Sequence, residues 1–110
     1  MTVVDPKVVD FVGIDKESGD VVLTVSDHLG WEDESVHLFA LQEKLNSYLA
    51  FVESGELLEQ YPDGRGRFVW IDVVLKYRPS SAGEEFLRNA QAAIAASGFA
   101  LGYRVIDSNQ

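Results

Sequence analysis

The chain has no cysteine, one methionine, three prolines and two histidines in 110 residues. Without cysteine it can build neither a disulfide framework nor a thiolate metal site. No apolar run approaches the roughly 18–20 residues of a membrane-spanning helix, so membrane insertion is not expected. The opening stretch MTVVDPKVVD lacks a basic segment followed by an apolar one, so no secretory leader is expected. Together these absences lead to the expectation of a cytoplasmic protein. Positive charge is scarce as well: 9 Lys and Arg face 18 Asp and Glu, for a formal net charge of -9. The excess of acid is concentrated in residues 1–60, which hold thirteen acids and three bases. Such a field repels phosphate backbones and offers no basic stripe for counterion release, so nucleic-acid binding is not expected. The same acidity keeps a small protein soluble, and it can also steer a basic protein partner.

What remains is a globular composition, with 46% hydrophobic and 25% charged residues. A chain of this length and balance is expected to form a single domain over residues 1–110. Residues 7–15 are rich in β-branched and aromatic types and read as a strand, followed by a polar turn at 16–20. Val21, Leu23 and Val25 alternate with Val22, Thr24 and Ser26, which marks the returning strand of a hairpin. Asp33 or Glu32 then lies at the cap of a long helix. Its apolar residues Leu38, Leu41, Leu45, Tyr48, Leu49 and Val52 recur at helical spacing, and Gly55 stops it. ELLEQY is ambiguous between a further helical turn and an edge strand. Arg67 to Tyr77 reads as a strand with Val69, Ile71, Val73 and Leu75 on one face and Phe68, Trp70 and Val74 on the other. Ser81 with Glu84 has the spacing of a capping box before a second helix that ends at Gly98. Phe99 to Val105 is the last strand. The order ββαβαβ predicts an α+β two-layer sandwich, with a mixed sheet of about four strands and two helices on one face. The last three strands are expected to run parallel, and the first antiparallel to them.

The run SDHLGW, then LQEKLNSYLAFVESGE, YPDGRGR and the strand ending KYRPS resembles a family of small stand-alone bacterial proteins of unknown function. The likeness runs from about Pro6 to Val105 and implies no activity or ligand. Small acidic bacterial proteins of this size include immunity proteins for toxins, a comparison of class only.

The chemistry on offer is sparse. Asp27, His28, Asp33 and His37 are the densest set of conceivable metal ligands, but their spacing matches no converging metal site, so no metal and no cofactor are expected. There is no nucleophile elbow and no local triad, and plentiful carboxylates carry no information by themselves, so no catalytic residue is assigned. Gly64-Arg65-Gly66-Arg67 lacks the sequence of a phosphate loop and reads as a turn before a strand. The stronger signal is the second face of the sheet, since the helices cover only one. Phe68, Trp70, Val74, Val22 and Val12, with Val8, Ile14 and Thr24 around them, would make that face more apolar than a solvated sheet face. The leading expectation is therefore a non-catalytic, self-associating protein-interaction domain, with a second copy or another protein as partner. Two alternatives stand beside it. One is a small-ligand binder or enzyme using Asp27, His28 and Trp31; the other is an immunity-type inhibitor presenting the acidic helix from Asp33 to Glu53.

Overall fold

Apolar residues at every second position fix which face each strand buries, and the computed structural model describes the result for residues 11–106. β1 (Phe11–Ile14) and β2 (Val21–Asp27) form a hairpin. The Asp15 carboxylate closes its loop by accepting from the backbone N–H groups of Glu17 at 2.8 Å and Ser18 at 3.0 Å. α1 (Glu34–Glu53), a short α2 (Glu56–Gln60) and a single 3-10 turn (Pro62–Gly64) lead to β3 (Val69–Leu75). α3 (Ser81–Ala96) and β4 (Ala100–Val105) complete the order. The four strands lie side by side in chain order, β1 antiparallel to β2 and the rest parallel. This is the expected mixed α+β sheet, with a third, short helix added. The ambiguous ELLEQY segment supplies that helix. Gly55, at a φ of 89°, takes the left-handed turn that ends α1 and lets the chain start α2 at once.

Two helix starts are set by side chains. Asp33 caps α1, its carboxylate accepting from Val36 N at 3.3 Å. α3 is capped by Ser80, whose hydroxyl accepts from Gly83 N at 3.2 Å, and not by Ser81 as the spacing had predicted. The cap must be the last non-helical residue. Ser80 is extended, whereas Ser81 is already in the helix.

The helices cover the sheet face that carries Val21, Leu23, Val25, Ile71, Val73, Leu75 and Leu101, all buried. α1 contributes Leu41, Leu45, Tyr48 and Phe51 to this core, with His37 and Lys44 also buried. Its inward face is thus turned from the predicted one: Leu38, Leu49 and Val52 are only half-buried. The helix packs against both the sheet and α3, so its buried stripe is wider than the aliphatic spacing suggested. Tyr48 fixes the crossing, its hydroxyl donating to the Thr24 carbonyl of β2 at 2.7 Å.

The open face differs from expectation in β1. Val12 pairs with Leu23 and Ile14 with Val21, which places both on the helix side; Val12 packs on the core and is removed from the predicted interface set. Residues directly opposite in an antiparallel pair share a face, so the register decides and the sequence alone does not. Phe11, opposite Thr24, takes the open side instead. Val8 lies outside the described residues.

Candidate functional site

At the carboxyl ends of β2 and β3 the chain leaves the sheet through two loops, residues 28–33 and 76–80, and a cleft opens between them. It has a volume of about 570 Å³ and is lined by His28, Leu29, Gly30, Trp31, Glu32, Tyr77 and Arg78. Segments SDHLGW and KYRPS, two of those that carry the family likeness, thus meet here. The parallel strands β2 and β3 end on this side together.

The first loop is held from beneath by a buried polar cluster. Asp27, the last residue of β2, points among the core side chains, where its carboxylate meets Nε2 of His37, and both side chains are essentially inaccessible to water. The other carboxylate oxygen accepts from Leu29 N at 3.1 Å. His37 Nδ1 lies 2.8 Å from the Gly30 carbonyl, which can only accept, so Nδ1 carries a proton. A second proton lies between Nε2 and the carboxylate, since without it two lone pairs would face each other. The imidazole also stacks on Trp31, ring centroids 3.7 Å apart. The far edge of that indole rests on Gly83 of α3, where an added Cβ would come within 2.6 Å of it. Trp31 Nε1 is buried with no hydrogen-bond partner among the described residues.

His37 therefore spends both nitrogens on structure, and the pair is a clamp on the loop, not a catalytic dyad open to a substrate. Of the three residues singled out as a ligand loop, His28 and Trp31 line the cleft and Asp27 supports it from below. Of the two histidines, His28 is exposed and His37 is buried. Arg78, Tyr77 and Glu32 were not singled out; only their position at the ends of strand and helix could have marked them. Among the described residues no three His, Asp or Glu side chains converge as metal ligands.

The second surface is the uncovered sheet face. The register aligns Val22 with Trp70 and Ala100, Thr24 with Asp72 and Gly102, and Ser26 with Val74 and Arg104. Phe68 and Trp70 are exposed there at 47% and 38%, and Phe11 at 62%. Trp70 lies across the sheet over Gly102, where a Cβ would meet the indole at 2.7 Å. Arg104 reaches Asp72 at 3.4 Å, so the charges on the strands of this face pair with each other. At its rim, Asp15, Ser18 and Asp20 border a cleft of about 330 Å³ beside Trp70.

The model of a family of unknown function, DUF6572, matches residues 1–107. No curated protein and no solved structure matches the chain.

Proposed function

The chain belongs to this family of unknown function, and since membership hands down no activity, we propose on physical grounds that it is a protein-interaction domain that pairs with a second copy of itself through the open face of its sheet. The carrying observation is that the described helices pack on one face, while the other exposes Phe11, Phe68 and Trp70 beside half-buried Val22 and Val74. Large aromatic side chains left in water are characteristic of interface cores.

The distribution of charge favours a second copy over a basic partner. The helices carry seven acids (Glu34, Glu43, Glu53, Glu56, Glu59, Glu84, Glu85), whereas the open-face strand positions hold one Asp and one Arg, already paired. Two copies meeting sheet to sheet keep their acidic layers on the outside, and sheets pack well at about 10 Å. Strands of four, seven, seven and six residues, about 4.8 Å apart with a rise of about 3.3 Å per residue, give a footprint of roughly 380 Å² per copy. That lies in the weak, reversible class of interfaces, so a dissociation constant of roughly 10–100 μM is expected. The rim acids Asp15 and Asp20 oppose association, and added salt should strengthen it by screening them.

Sedimentation equilibrium tests this between roughly 10 μM and 1 mM. Wild type should pass from monomer to dimer in that range, and Trp70→Glu should stay monomeric with an unchanged circular dichroism spectrum. A wild-type monomer at the highest concentration, or a dimer that survives Trp70→Glu, refutes the reading.

A further inference from the structure

We propose that the cleft at the carboxyl ends of β2 and β3 binds a small zwitterion, a molecule with one carboxylate and one ammonium group on an apolar body. This site lies at the strand ends and does not depend on the open face of the sheet. Three observations converge on it.

The first is the lining. Leu29, Trp31 and Tyr77 form an apolar and aromatic wall, and Arg78 and Glu32 place one charge of each sign in the same cleft. Among the described residues neither Arg78 nor Glu32 makes an ion pair, with each other or with any third group. A guanidinium offers a planar fork to a carboxylate, and a carboxylate accepts from an ammonium. A ligand carrying only one of these charges would face repulsion from the other wall. A zwitterion answers both, and His28 adds a further ring nitrogen at the edge.

The second is the placing of Glu32. Its carboxylate folds back over Gly30, so closely that a Cβ at Gly30 would collide with it. The third is rigidity. Asp27 and His37 hold Leu29 N and the Gly30 carbonyl from below, and Trp31 is pinned between His37 and Gly83. A wall fixed before binding spares the ligand the entropy of ordering it. The cleft, about 570 Å³ and open on its outer side, leaves room for an amino acid or a dipeptide to lie against its wall.

The test uses L-phenylalanine as probe, with 3-phenylpropionate, which lacks the ammonium, and phenethylamine, which lacks the carboxylate. Binding is read from the indole N–H signal of Trp31 by NMR. Saturable binding of phenylalanine is expected in the millimolar range, with each one-charge analogue at least about tenfold weaker. Arg78→Gln should erase the advantage over phenethylamine alone, and Glu32→Gln the advantage over 3-phenylpropionate alone. Both side chains are exposed, so neither change threatens the fold. The dipeptide alanyl-phenylalanine serves as a second arm: tighter binding of it assigns the site to peptides, and weaker binding assigns it to free amino acids. No saturable shift with phenylalanine or the dipeptide overturns the proposal. So does equal binding of the three phenyl compounds, or discrimination that survives both substitutions.

Discussion

Replacing His37 by Phe should be among the most damaging single changes in the chain, whereas Asp27→Asn should be nearly silent. Phe keeps the ring stacked on Trp31 and fills much the same volume, so the loss isolates the two ring nitrogens. Asp27 would then be left as a buried carboxylate without its partner, a situation that costs about 3–5 kcal/mol. The Gly30 carbonyl loses its donor as well, adding about 1 kcal/mol. Asn at position 27 behaves differently: its oxygen still accepts from Leu29 N, and its amide N–H donates to Nε2 of a histidine protonated on Nδ1. Its cost should stay within about 1 kcal/mol. In a domain of this size each kcal/mol moves Tm by roughly 4–8 °C, so the two variants should differ by at least about 12 °C. Urea unfolding followed by circular dichroism gives the free energies directly. The double variant Asp27→Leu with His37→Phe removes the stranded charge, and it should be more stable than His37→Phe alone. That comparison survives even if the single variant fails to fold. Equal costs for Asp27→Asn and His37→Phe, or a double variant costing the sum of its singles, would refute the assignment of a proton-sharing clamp.

Leu45, buried on α1, should lose about 2–5 kcal/mol on substitution by Ala, while half-exposed Glu43→Ala should stay close to wild type in the same unfolding assay. Gly102→Ala should displace the Trp70 indole, costing roughly 1–3 kcal/mol and changing tryptophan fluorescence; an unchanged spectrum would mean the ring does not rest there. Asp15 has its carboxyl held below the ordinary value of 3.8, chiefly by the Ser18 amide and then by that of Glu17. A depressed carboxyl stabilises the loop above its unfolded pKa and loses that contribution as pH falls through the folded one. The amide signals of Ser18 and Glu17 should therefore titrate together with a midpoint below 3.8, and Asp15→Asn should abolish the transition.

The sheet was legible because its strands alternate cleanly: Val21, Leu23 and Val25, and then Val69 to Leu75, carry a period of two that no helix shares. The parallel pairing followed from the helices between the strands. What the sequence withheld was register and rotation. Nothing local distinguishes Phe11 from Val12 as the outward residue, because only pairing with β2 decides it. On α1 the aliphatic spacing concealed that a histidine and a lysine sit on the buried stripe: His37 meets Asp27, which lies on β2, and Lys44 has the Tyr48 ring 5.6 Å away, one turn further along the same helix. The cleft was half legible, since the loop after β2 stood out by composition. Its facing wall, Tyr77 and Arg78, comes from a loop that is nearly fifty residues further along the chain.

The chain-order arrangement of the sheet also shapes how the protein can assemble during synthesis. Every strand pairs with the strand made just before it, so no strand waits for one made later. The hairpin can close first, α1 can then lead β3 onto its edge, and α3 can bring β4 last. Only the hairpin is local: the parallel pairs bring Val21 to Val69 and Trp70 to Ala100, and such pairings close long loops and form more slowly. There is one exposed moment. Until β4 is made, β3 is an open edge that carries Val69, Ile71 and Val73. Chains truncated before Ala100 should accordingly aggregate by strand addition, even though the hairpin, α1 and β3 are already complete.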